Sequence, residues 1–195
     1  MTTDEAAAIV RSVLADAIAT HERVSRLDPA PIVAAAAAVS ASLGAGGRVL
    51  VFGNGGSAAD AQHAAAELVG RFERDRTGFA AVALTADASV LTSVANDYGF
   101  ERVFARQIEA LGRPGDVALA ITTSGRSPNV VAALRLARER GLRTIALTGR
   151  DGGEAGREAD VHVNVPSAST ARVQEVHRTL LHALCAMVEK AMTDA

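Results

Sequence analysis

Apolar positions in the first 25 residues recur at helical spacing. Ile9, Val10, Val13, Leu14 and Ile18 fall on one stripe, with Asp4 and Glu5 near its start, which predicts an amphipathic helix over 4–25. A second helix is predicted over 31–43, entered through Pro31 in its first turn and closed by Gly44. Its run Ala34 to Ala38 is low-complexity in letters only, because small side chains on a helix allow close backbone approach. From residue 47 the pattern changes to short apolar runs: Val49 to Phe52, Ala81 to Leu84, Val117 to Ile121, Thr144 to Leu147, and Val161 to Val165. Each has the length of a buried strand, and helical sequence separates most of them. Apolarity is continuous rather than alternating, so both faces of the sheet are expected to be covered. The fold class is therefore α/β: a five-stranded parallel sheet with helices on both faces, plus the N-terminal helices. A last helix is predicted over 170–192, with Val173, Val176, Leu180, Leu184 and Val188 on one side. It and the two N-terminal helices have no strands of their own to cover. They are expected to pair with each other and with a second subunit, helices 4–43 forming part of an oligomer bundle.

Composition narrows the class. The 195 residues suffice for one domain, 1–195, that buries roughly 70% of its unfolded surface. With 49% hydrophobic and 22% charged residues the chain is not disordered. A net charge of −2 argues against nucleic-acid and anionic-membrane partners. Aromatics at 3%, with no Trp, leave no stacking platform for single strands. The lone Cys185 excludes an internal disulfide and a cysteine-based zinc site, and suits a reducing compartment. No apolar run reaches the ~18 residues of a membrane span, and no basic region precedes an apolar stretch at the N-terminus. The expectation is a soluble, cytoplasmic protein.

Two loops have the composition of an anionic-ligand site. In open parallel sheets ligands sit at the carboxyl ends of strands, beside helix N-termini. Gly53-Asn54-Gly55-Gly56-Ser57 follows the first strand, its glycines allowing close backbone approach and Ser57 placed to cap the next helix. It is neither a Walker A motif nor a complete Gly-x-Gly-x-x-Gly, and a plain strand-to-helix turn reads almost the same. Thr122-Thr123-Ser124-Gly125-Arg126-Ser127 follows the third strand, before a helix opened by Pro128. Four hydroxyls at a helix mouth suit a phosphate monoester without a lysine, against the blander reading that Ser127 caps and the rest turns the chain.

His63 and Glu67 lie one turn apart on the helix after the first loop. Such a pair can ligate a divalent metal or form a general base with its partner, although many surface helices contain one. The last helix offers Gln174, Glu175, His177 and His182. Gln174 and His182 are about 12 Å apart along an ideal helix, so one ion could take both only through extended side chains, a bent helix or two subunits. His177 is the competitor. An exposed His177 and a buried, satisfied His182 are the neutral readings.

With these residues in view, the chain resembles the phosphoheptose isomerase family of the sugar isomerase (SIS) domain superfamily along essentially its whole length. The resemblance runs through Gly53 to Ser57, Gln62-His63 with Glu67, Gly70-Arg71-Phe72, Ala95-Asn96-Asp97-Tyr98, Thr123-Ser124-Gly125, Thr148-Gly149 with Asp151-Gly152-Gly153, and Ala171 to His177. It implies a flavodoxin-like three-layer sandwich assembled as a homotetramer with active sites between subunits. It also implies one zinc per subunit, on His63, Glu67, Gln174 and His182. Substrate contacts would fall on Asn54, Gly55, Gly56, Ser57, Glu67, Asn96, Asp97, Thr122, Thr123, Ser124, Ser127 and Gln174. The implied activity converts sedoheptulose 7-phosphate to D-glycero-D-manno-heptose 7-phosphate through an enediolate, opening nucleotide-activated heptose biosynthesis. Glu67 would be the base and His182 its acid–base partner. Ala171 stands where many members have Asp, which removes one polar contact to the sugar, and Thr122 stands where Ser is common. One rival is a non-catalytic SIS tetramer that binds the replication initiator protein; that relative lacks the carboxylate corresponding to Glu67. The other is a sugar-phosphate-sensing module, which usually accompanies a DNA-binding segment that is not evident here.

Overall fold

The computed structural model describes residues 1–194. Five strands, β1 (Val49–Gly53), β2 (Ala81–Ala83), β3 (Val117–Thr122), β4 (Arg143–Gly149) and β5 (Val161–Val165), form one all-parallel sheet in the order β2-β1-β3-β4-β5. The helices are α1 (Thr3–Ser25), α2 (Ala30–Gly44), α3 (Gly56–Val69), α4 (Ala88–Tyr98), α5 (Val103–Leu111), α6 (Pro128–Glu139), α7 (Gly153–Glu158) and α8 (Thr170–Thr193). Every residue of β1 and β3 is buried, as two-sided cover requires.

Alternate residues of each strand feed different cores. Val49, Val51, Leu119, Ile121, Ile145 and Leu147 pack against α2, α3 and α8. Leu50, Phe52, Ala118, Ala120 and Ala146 pack against α4, α5, α6 and α7. This corrects the expectation that the N-terminal and C-terminal helices cover no strands. Ile32, Ala35, Ala36 and Val39 of α2, with Leu181, Leu184, Cys185 and Val188 of α8, lie directly on the sheet. A run of alanines on α2 lets its backbone come close to the strands. Leu180, expected on the buried side of α8, is only partly buried; Leu181 takes the core position.

Only α1 stands outside the layers. It opens with a capping box, Thr2 and Glu5 each accepting the other's backbone N–H. Its one buried residue is Thr20. The predicted stripe Ile9, Val10, Val13, Leu14 and Ile18 is 46–60% exposed.

From β1 the chain crosses one way to β2 and later the other way to β3. The carboxyl ends of β1 and β3 therefore flank the topological switch point, where such sheets bind ligands. Both loops singled out in the sequence emerge there. Among the described residues no single helix is long and apolar enough to cross a membrane.

Candidate active site

The two loops are tied together from beneath. Gly53 pairs in register with Ile121. Asn54 and Asn129 exchange reciprocal amide hydrogen bonds of 2.8 and 2.9 Å, joining the first loop to the start of α6. The Asn54 side chain is thus occupied structurally, leaving its backbone, Gly55 and Gly56 to face a ligand. Ser57 does not cap α3. The N-cap is Gly55, in a φ of 57° that disfavours a side chain, while Ser57 is buried inside the first turn.

In the second loop Thr122 is buried with its hydroxyl 3.4 Å from that of Ser127. Ser127 is the N-cap of α6 by backbone only, so its hydroxyl makes no cap bond. Thr123 and Ser124 are half-buried. Ser124 Oγ accepts the Arg126 N–H at 3.1 Å. The loop folds onto the turn after β4: Gly125 at φ 65° has no room for a Cβ against Gly152, and the Ala155 N–H donates to the Gly125 carbonyl. The Arg126 guanidinium spans the rim to Asp151 with bonds of 3.0 and 2.6 Å and holds that carboxyl below its usual range. Asp151-Gly152-Gly153, part of the resemblance but without a role in the sequence reading, is thus the wall of the hydroxyl loop. Asn96 and Asp97 are exposed near the end of α4, joined by a 2.8 Å bond from the Asn96 amide to the Asp97 carboxylate.

Helices α3 and α8 run side by side in the same direction. Gln174 lies against Gly56, Arg178 reaches Asp60 at 2.5 Å, and His182 meets His63, a nearly constant offset along both chains. The Nε2 atoms of His63 and His182 are 2.8 Å apart, so one ring donates and the other accepts. His63 Nε2 is 3.5 Å from Glu67 Oε1. Candidate ligand atoms of His63, Glu67 and His182 all lie within 4.8 Å of one another, each half-buried. Tetrahedral zinc with bonds of about 2.0–2.2 Å sets its ligands roughly 3.4 Å apart. Two imidazoles and a carboxylate at these separations fit zinc once the histidine pair opens slightly. Gln174 is not with them: its amide sits over Gly56, two turns up α8, where a Cβ on that glycine would collide with it. His177 and His182 exchange the neutral readings. His177 is fully buried with Nε2 2.9 Å from the Thr148 carbonyl oxygen, and His182 is half-buried beside His63.

The SIS domain family matches residues 14–149. A phosphoheptose isomerase of Aromatoleum aromaticum is 59% identical over 80% of either chain. The chain belongs to the phosphoheptose isomerase family of SIS-domain proteins. Solved relatives superimpose closely. The phosphoheptose isomerase of Neisseria gonorrhoeae gives a TM-score of 0.90 at 45% identity, over 97% of this chain and all of the other. That of Francisella tularensis gives 0.91 at 37% identity, over the same shares. Relatives of that name at such identity do not favour the non-catalytic scaffold or the sensing module.

Proposed function

We infer that the chain interconverts sedoheptulose 7-phosphate and D-glycero-D-manno-heptose 7-phosphate, moving hydrogen between C1 and C2 through an enediolate. The observation that carries this reading is the convergence of His63, Glu67 and His182 in a phosphoheptose isomerase relative. Glu67 takes the C1 proton and returns it to C2. His182, hydrogen-bonded to His63, moves a proton between the two oxygens. Zinc would be held by His63, Glu67 and His182, with Gln174 of the family set left at the loops beside Gly56; bound there, it would supply positive charge to the oxygens that become the enediolate. Thr123, Ser124 and Ser127 hold the distant phosphate, and that binding positions the reacting carbons.

The site is completed by a second copy, in a homotetramer. Eleven residues of α3 separate Gly56, at the loops, from Glu67, about 16 Å along the axis. The exposed stripe of α1 supports the same assembly.

Proton NMR of sedoheptulose 7-phosphate with the purified protein, with and without added zinc, tests the activity directly. Glu67→Gln and His182→Ala should each lower turnover by at least ~10². Near wild-type turnover in either variant would remove that residue from the mechanism.

A further inference from the structure

The segment between α3 and β2 holds a buried ion pair that the chemistry above does not use. Arg76 and Glu189 side chains are 5% and 3% exposed, with Nε 3.0 Å from Oε1. Arg76 also donates to the carbonyls ending α3: to Glu67 at 2.9 Å through Nη2 and to Leu68 at 3.0 Å through Nη1. Its guanidinium lies 3.8 Å over the Phe79 ring. Glu189, two turns beyond His182 on α8, accepts the backbone N–H groups of Phe72, Glu73 and Arg74 at 3.2, 3.0 and 2.9 Å. Burial alone would raise the Glu189 carboxyl, but the three N–H groups and Arg76 more than offset it and hold it below the usual range. The turn so fixed places the Phe72 ring against His182, centroids 5.6 Å apart.

We propose that Arg76 and Glu189 are positioning residues for the Glu67/His182 pair. Arg76 grips the Glu67 backbone at the end of α3. Glu189 gathers the turn that sets Phe72 against the His182 ring. A buried ion pair is weak evidence of stabilisation in itself, since an apolar pair of similar volume often serves as well. Here each of its members is bonded to a segment that carries or touches an acid–base residue. The pair thereby fixes the relative placement of α3 and α8 where misplacement matters most. Groups in this supporting position typically alter metal affinity or activity by 10–100-fold.

The inference rests on the isomerase reading, so wild-type turnover of sedoheptulose 7-phosphate is the control that tests that reading. The ratio of variant to wild type tests this one. Glu189→Gln keeps the shape but loses the charge, and Phe72→Leu leaves the ion pair intact while removing the ring. Both should lower kcat 10-fold or more with KM changed less than threefold, when assayed well below their melting temperatures. Both should also weaken zinc, titrated against a chromogenic chelator, and alter the visible absorption of the Co2+-loaded protein. If Glu189→Gln does not fold, the paired change Arg76→Met with Glu189→Met retains the packing and is read in the same way. Variants that melt earlier yet keep wild-type kcat, zinc affinity and Co2+ spectrum would reduce the pair to a structural role and overturn the proposal.

Discussion

At the scale of single residues, His177 shows how a side chain with apparent chemistry is spent on the fold. Its Nε2–H donates to the Thr148 carbonyl near the end of β4, and Nδ1 has no partner among the described residues. Burial lowers its pKa, partly countered by the Thr148 bond and by the nearby Asp60 carboxylate. In the unfolded chain the ring protonates as pH falls through about 6.5, while in the native state it stays neutral to lower pH. Below pH 6.5 the unfolded state therefore binds more protons, and stability falls by up to about 1.4 kcal/mol per pH unit until the depressed native pKa is reached. Above pH 6.5 the group contributes no slope. His177→Gln can still donate to Thr148 but cannot titrate. It should flatten the decline in melting temperature between pH 7 and pH 5, without removing the part due to His162, which burial also depresses. Thermal melts of both proteins across that range check it; superimposable profiles would show that His177 titrates alike in both states.

At the scale of elements, the loops depend on contacts between helices and strands far apart in sequence. The Asn54–Asn129 exchange joins the turn after β1 to the first turn of α6. Asn129→Ala removes both hydrogen bonds of the half-buried Asn54 amide, which should cost about 1–3 kcal/mol in urea unfolding. Because the pair holds the two ligand loops in register, the variant should raise KM for sedoheptulose 7-phosphate more than it lowers kcat. Steady-state kinetics beside the melts would separate the two effects. This contact was invisible in the sequence, where Asn129 is one polar letter in a helix and its partner stands 75 positions earlier. The central strands were readable because burial on both faces writes an unbroken apolar run, while the edge strand Val161–Val165, placed residue for residue, alternates buried Val with partly buried His162 and Asn164. Apolar periodicity does not say which helix covers which strand, so the seating of α2 and α8 on the sheet was missed. His63 and Glu67 could be paired from helical spacing. Bringing His182 beside them needed the parallel alignment of α3 and α8, and the resemblance selected it where spacing left His177 open. Arg76 and Glu189 gave no signal at all: a charged residue in a turn and another in a helix read as solvated surface.

At the scale of the whole molecule, the homotetramer proposed above draws its support from the exposed apolar stripe of α1. Helix α1 is anchored on its own chain, since Arg172 of α8 donates to the Val13 carbonyl at 2.5 Å and lies 3.8 Å from Asp16. Its outward residues can therefore be changed without releasing the helix. Each Val or Leu buried in a subunit contact contributes about 1.5–3 kcal/mol, and a carboxylate in its place must lose its hydration without a partner. Val10→Glu combined with Leu14→Glu should dissociate the oligomer at micromolar concentration in sedimentation while leaving the helical circular dichroism unchanged. If Glu67 and His182 of one copy act on a sugar whose phosphate is held by the hydroxyl loop of another, the separated chains should lose at least ~10² in kcat/KM. Titrating the variant to high concentration should then restore activity in step with mass. A chain that sediments as a monomer at full activity would place both halves of the site within one copy and overturn the shared site.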